Sequence, residues 1–267
     1  MIPLDYHIHS RYSEDGDASL EAFCEQAISL SIPEIGFSEH WDVGPYEKNP
    51  RFFQVELWYE EIEMLRSKYS GRLTIRAGVE IAEPHLYPIE TQEVLHRASF
   101  DFVLGSVHFN GNQFLFDEDY FRNHSADEVY SSYFSELGRM IETADIDIVA
   151  HLDIPARTGK PILGYEPSRY EKQIRGILER IIHRGLALDI NTGGMRKPAA
   201  LLMPDPVILK WFKEMGGEQL TLGSDAHKVT QLGMHLNRAI KTLQETGLIN
   251  ITHFEKRRTS FSPLQQS

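Results

Sequence analysis

The chain has 267 residues, with 27 Lys or Arg and 39 Asp or Glu, a formal charge of −12 with histidine neutral; 41% of residues are hydrophobic and 25% charged. This composition excludes a disordered or collagen-like chain. The acidic balance speaks against a general binder of nucleic acid or membrane surfaces, which needs a broad positive field. One cysteine, Cys24, rules out an intrachain disulfide; among Phe23, Ala27 and Ile28 it reads as a small buried apolar residue. The opening MIPLDYHIHS has no basic stretch followed by an apolar run, and no apolar segment approaches the roughly 20 residues of a membrane span, so a cytoplasmic protein is expected.

Short apolar runs alternate with longer amphipathic segments. Strands are expected at 3–8, 34–38, 73–80, 102–107, 146–150, 187–191 and 220–224. Helices are expected at 20–30, 55–68, 91–97, 126–143, 169–184, 206–215 and 232–246. Leu57, Ile62 and Leu65 are taken as the buried face of the second helix. In the fifth, Ile174, Ile177, Leu178, Ile181 and Ile182 recur at helical spacing, and His183-Arg184-Gly185 supplies basic residues and a capping glycine. Seven β-then-α units in series, with no linker or repeat, predict one α/β domain over 1–267 built on a parallel sheet, either open or closed into a barrel. The polar tail after Ile251, with Lys256-Arg257-Arg258, is expected to be loosely held and solvated.

Histidines fall where the strands end. His7 and His9 follow the first strand, His40 the second, His108 the fourth and His151 the fifth; Glu80 ends the third, Asn191 ends the sixth, and Asp225 and His227 follow the seventh. Parallel α/β folds collect their functional groups at the carboxyl ends of strands. In H-x-H and D-x-H on extended backbone both side chains share a face and can hold one ion, and a central carboxylate can bridge two. Imidazole and carboxylate without thiolate suit Zn, Fe or Mn.

The opening D-Y-H-I-H-S-R-Y-S-E-D-G resembles the first motif of the PHP (polymerase and histidinol phosphatase) family, followed in the family's order by F-S-E-H, G-V-E, G-S-V-H, A-H-L-D and G-S-D-A-H. Length and spacing look most like the monofunctional histidinol-phosphate phosphatase branch. The resemblance implies a distorted (β/α)7 TIM-like barrel, three divalent ions at its carboxyl rim, and hydrolysis of L-histidinol phosphate to L-histidinol and phosphate in histidine biosynthesis. It further implies His7, His9, Glu80 and Asp225 on the first ion, Glu80, His108 and His151 on the second, and Asp15, His40 and His227 on the third. Glu14 and Asp17 flank Asp15 and compete for its role. Arg157 and Arg196 resemble the family's phosphate-binding positions; Lys197, Lys228 and Arg11 are weaker alternatives.

The chemistry expected of such a site is attack on phosphorus by a water acidified between two ions, with Glu80, Asp225 and His227 at the reacting centre. Basic side chains hold the non-bridging oxygens. Trp41, Asp42, Tyr46, Glu83 and Asn110 are candidates for the substrate's ammonium and imidazole, with no choice among them. His85, His96, His124, His183, His235 and His253 receive no role. The partner expected is a small phosphate monoester, with no nucleic acid and no membrane; a homo-oligomer is allowed. The competing readings are a PHP phosphodiesterase or exonuclease, a metal-binding PHP module without activity, and an amidohydrolase. Against the last, Glu80 stands where that family usually carries a carbamylated lysine.

Overall fold

The alternation in the sequence becomes a six-stranded parallel sheet wrapped by helices in the computed structural model, which describes residues 1–264. In chain order the elements are α1 (Leu20–Ser29), β1 (Glu34–Trp41), α2 (Val55–Lys68), β2 (Thr74–Ala82), α3 (Pro88–Leu95), β3 (Phe102–Ser106), the hairpin β4 (Phe109–Asn110) and β5 (Gln113–Phe114), and α4 (Glu118–Arg122). They continue as α5 (Ala126–Thr143), β6 (Ile148–Val149), α6 (Pro155–Leu163), α7 (Glu171–Arg184), β7 (Ala187–Asn191), α8 (Pro206–Glu214), β8 (Leu220–Gly223), α9 (Leu236–Glu245) and the hairpin β9 (Asn250–Glu255) and β10 (Arg258–Pro263).

The large sheet runs β1-β2-β3-β6-β7-β8. The first expected strand, 3–8, is not continuous; it makes single parallel bridges from Asp5 to Ile35 and from Ile8 to Ala226. Its backbone nonetheless bonds both sheet edges. Gly36 N donates to Asp5 O at 2.8 Å on the β1 side, and Tyr6 N donates to Leu222 O at 2.8 Å on the β8 side. This segment is therefore a seventh stave that joins the edges into a distorted barrel, and it explains why His7 and His9 reach the same rim as the other strand ends.

Local chemistry explains most boundaries. Ser19 caps α1, Ser125 and Glu128 form a capping box on α5, and Gly185 ends α7 in the left-handed conformation at φ 66°. The buried face of α2 is Val55, Trp58, Ile62 and Leu65, at spacings of three and four; Leu57 lies off that stripe and is 56% exposed, correcting its assignment. The last helix begins at Leu236 rather than 232, because a 3-10 turn covers Val229–Gln231 and His235 takes φ 65°. Two helices were not expected. The five residues of α4 are too short to show a period, and α6 carries Gly159 and Pro161, which disfavour helix.

The largest correction is the tail. Instead of a loosely held tail, 250–263 form an antiparallel hairpin across the amino ends of the barrel strands, its second strand largely exposed. Ile251 and Phe254 are buried, Phe254 N donates to the Tyr6 hydroxyl at 3.2 Å, and Leu220 N donates to Thr252 Oγ1 at 3.0 Å. Arg257 pairs with Asp145 at 2.7 Å and Asp147 at 2.9 Å, and Lys256 N donates to Asp101 at 2.9 Å. Arg257 reads as solvent-facing in the sequence because its partners lie more than 100 positions away, whereas Lys256 and Arg258 are exposed as expected.

Candidate metal centre

The opposite end of the barrel gathers every expected ligand. β1 and β2 run past the expected strand ends, so His40 and Glu80 stand within the sheet and pair directly in register. Glu80 is completely buried and forms the hub. Its Oε1 lies 3.1 Å from His151 Nε2 and 3.5 Å from His108 Nε2; its Oε2 lies 3.2 Å from His7 Nε2, 3.2 Å from His40 Nδ1 and 3.5 Å from His9 Nε2. Five imidazoles thus share one carboxylate, divided between its two oxygens. Asp225 approaches from β8, with Oδ1 3.7 Å from His9 Nε2 and 4.0 Å from His7 Nε2. Asp15 closes the outer side, 2.9 Å from His227 Nε2 and 3.8 Å from His40 Nε2; Glu14 instead bonds Asn49, and Asp17 faces Lys228.

A layer behind these groups fixes their proton positions. His7 Nδ1 is 2.8 Å from Asp189 Oδ2 and His227 Nδ1 is 3.0 Å from the Asp225 carbonyl. Both acceptors require N–H at Nδ1, so a neutral ring offers its Nε2 lone pair to the centre. His9 Nδ1 lies 3.3 Å from Ser13 Oγ, whose proton goes to Glu39 at 2.7 Å, again directing Nε2 inward. Among the described residues, His9 Nε2 and His40 Nδ1 are shielded from solvent without a hydrogen-bond partner. Inward lone pairs facing carboxylates, with the His9 ring 4.1 Å from that of His40 and 4.4 Å from that of His227, are a donor set for cations. Ligand atoms converge in four groups that could hold an ion: His7, His9 and Asp225; His7, Glu80 and His151; His9, His40 and His227; and His40, Asp42 and His108.

The electrostatics agree with that reading. Burial pushes Glu80 up, but His7, His40 and the bonds from His108 and His151 outweigh it and hold the carboxyl well below its usual range. Burial likewise raises Asp225, and His7, His227 and Arg157 reverse the shift. Asp15 is held at about 2, its burial outweighed by His227 and His40. His9 is driven well below the ordinary histidine value by burial and by the facing rings of His40 and His227. Burial also lowers His151, whereas at the other rings the surrounding carboxylates outweigh burial and draw His7 and His227 above the ordinary histidine value and His108 up to about 9; a divalent ion would take the place of those protons beside carboxylates that stay ionised.

The centre floors a pocket of about 780 Å³ that also holds Arg157, Arg196 and Lys197. Arg157 sits over the Phe116 ring at 4.0 Å and 3.7 Å from Asp225 Oδ2. Arg196 donates to the carbonyls of Ser224 at 2.6 Å and Asp225 at 2.7 Å. It therefore braces the loop that carries Asp225, whose backbone takes φ 55°. Gly193 is needed beside it, since a Cβ there would come 2.4 Å from Asp225 Oδ2. Arg11 points away to Glu61.

The profile of the PHP domain family matches residues 5–193. The chain belongs to the PHP domain family. A probable histidinol-phosphatase from Clostridium acetobutylicum is 26% identical over 258 residues, covering 95% of this chain and 97% of that protein. A histidinol-phosphatase from Lactococcus lactis is 26% identical over 259 residues, covering 95% of both. The fold is similar to that of a histidinol phosphate phosphatase from Lactococcus lactis solved with zinc, L-histidinol and phosphate, with a TM-score of 0.88, 24% identity, and 97% and 98% of the two chains covered.

In this PHP domain the groups that position the rim were missed in the sequence. Asp189 precedes Asn191 by two, so both face one side of β7; Asn191 turns out to support Asp189 at 3.0 Å. Glu39 also holds Ser10 N at 2.9 Å, Glu83 accepts from Phe109 N at 2.9 Å, and Asp5 accepts from Ser224 N at 2.8 Å. Asp5 was visible as the first member of D-x-H-x-H; Glu39 and Glu83 carried no signal beyond being acids near motifs.

Proposed function

We propose that this PHP domain is a metal-dependent phosphomonoesterase that hydrolyses L-histidinol phosphate to L-histidinol and inorganic phosphate, the activity its curated relatives are named for. The observation that carries the reading is the Glu80 hub, a buried carboxylate shared by five imidazoles at the floor of a pocket whose wall carries Arg157 and Lys197. His7, His9, Glu80 and Asp225 would hold one ion, Glu80, His108 and His151 a second, and Asp15, His40 and His227 a third. The donor set suits Zn, Fe or Mn.

Bound there, such ions acidify water for attack on phosphorus at neutral pH and offset the charge of the phosphoryl group. The chain's own residues do the rest. Glu80 presents one oxygen to each half of the imidazole set. The Asp189 and Ser13–Glu39 contacts hold His7 and His9 with their Nδ1 protons outward. His227 keeps its Nδ1 proton on the Asp225 carbonyl, and Asp15 holds its Nε2 side. Arg157 and Arg196 are proposed for the phosphoryl oxygens: Arg157 with its free donors, Arg196 in addition to its hold on residues 224 and 225.

The experiment is a phosphate-release comparison of metal-reconstituted protein on L-histidinol phosphate, p-nitrophenyl phosphate, nucleoside monophosphates and single-stranded DNA. The reading expects the specificity constant for L-histidinol phosphate to stand well above the others. Equal rates on all monoesters would make the protein a generic phosphatase, and preference for DNA would make it a nuclease.

A further inference from the structure

The sequence offered five candidates for the cationic end of the substrate, and the structure removes three. Trp41 is buried, with its indole N–H on the Glu90 carbonyl at 3.2 Å. Glu83 accepts the backbone N–H groups of His108 and Phe109. Asn110 donates to the Tyr120 hydroxyl at 2.7 Å and to Ser132. Asp42 and Tyr46 remain, and the loop after β1 adds Glu47.

This loop faces the arginines. Arg157 and Lys197 follow β6 and β7, while the loop follows β1; around the ring, β2 and β3 separate them on one flank, and β8 with the first stave on the other. Asp42 and Glu47 both line the pocket, and among the described residues neither pairs with a lysine or arginine. Asp42 Oδ1 is shielded from solvent with no hydrogen-bond partner, and its other oxygen is 3.9 Å from His40 Nδ1. A buried carboxylate oxygen without a donor is costly to keep unless a cation comes to it. Beside the acids, the Tyr46 and Phe109 rings lie 5.9 Å apart, and Tyr46 is 57% exposed at the mouth.

We propose that Asp42 and Glu47 hold the ammonium and imidazole end of the substrate while Tyr46 and Phe109 lie against its ring. The pocket then selects a phosphate monoester carrying a cation at its far end, through two opposed charged walls. A neutral ester would fill the same volume but leave two carboxylates desolvated without a partner, which is how polar sites reject analogues lacking a hydrogen-bonding group. The inference rests on the phosphatase reading and refines it.

The test compares L-histidinol phosphate with phenethyl phosphate, which keeps the phosphate and a flat ring but carries no cation. In wild-type holoenzyme the ratio of specificity constants favours L-histidinol phosphate. Glu47→Gln is expected to reduce that ratio at least 10-fold, and Asp42→Asn to do the same, with bound metal measured in each because Asp42 adjoins His40. Binding of L-histidinol alone, by calorimetry, should weaken by a similar factor. Equal losses on both esters, or an unchanged ratio with full metal content, would overturn the assignment. If the wild type ignored L-histidinol phosphate yet cleaved phenethyl phosphate, the substrate reading would fall. The acid pair would then be judged by the same ratio with phosphoethanolamine as the cationic ester, an unchanged ratio again counting against it.

Discussion

The two ends of the barrel both hold acids away from solvent and treat them in opposite ways. At the amino end each buried acid is satisfied by the chain. Glu34 takes bonds from Tyr6, Arg76 and His253, Asp147 from Arg257 and Val103 N, and Asp101 from Arg66, Ala77 N and Lys256 N. At the carboxyl rim, among the described residues, His9 Nε2, His40 Nδ1 and Asp42 Oδ1 are shielded from solvent without a hydrogen bond. The amino end is electrostatically self-contained, whereas the rim leaves ligand atoms that could hold cations. Stability and function are thus assigned to opposite ends, as parallel barrels generally divide them.

Removing the hub carboxylate should matter most. Glu80→Ala should lose more than one ion per chain by elemental analysis and lower the specificity constant at least about 1000-fold, because the carboxylate serves both halves of the imidazole set. A variant that kept its full complement would show that Glu80 bridges nothing. The arginines come next. Arg157→Ala should keep its metal and lose on the order of 2–4 kcal/mol of transition-state stabilisation, roughly 30- to 1000-fold in the specificity constant, with weaker inhibition by phosphate. Arg196→Ala should lose metal affinity as well, since it releases the carbonyls of Ser224 and Asp225. Wild-type metal retention in Arg196→Ala would reduce it to a phosphate contact.

Acid should separate the two ends. Metal binding needs neutral imidazoles, and the neighbouring carboxylates outweigh burial to draw His7 and His227 above the ordinary histidine value and His108 to about 9, so protons compete with ions increasingly as the pH falls through neutrality. At the amino end, burial pushes Glu34 up, but bonds from His253, Tyr6 and Arg76 outweigh it and hold it below the ordinary glutamate value of 4.5. A carboxyl depressed in the folded state adds stability that is present above that value and lost as the pH falls beneath it. Between pH 7 and 5 the protein should release metal while near-ultraviolet circular dichroism persists, and the fold should fail only at lower pH. Simultaneous loss of both signals would contradict the division. The smallest effect on function belongs to Arg257→Ala. It should cost about 1–3 kcal/mol in denaturant unfolding by leaving Asp147 half-satisfied, with the specificity constant within about twofold of wild type.

The rim was legible in the sequence because strand ends in a parallel sheet are collinear with chemistry. His7, His9, His40, Glu80, His108, His151, Asp225 and His227 each followed or ended a recognisable apolar run, and the structure brings all of them to one place with Asp15. The groups that orient them were hidden, because Glu39, Glu83 and Asp189 act through backbone and side-chain hydrogen bonds between segments far apart in the chain. The hairpin at the amino end was misread for the same reason. Its strands show no clean alternation of apolar and polar residues, and Arg257 looks solvated until Asp145 and Asp147 are seen beside it.

Metal ions that drive phosphate release are expected to meet the unfilled demand at the rim. Metal-stripped protein, titrated with zinc while phosphate release from L-histidinol phosphate is followed, tests it most directly. No turnover is expected before titration, and activity should rise with added zinc and saturate at two to three equivalents per chain. Full turnover by protein shown by elemental analysis to hold no metal would contradict it.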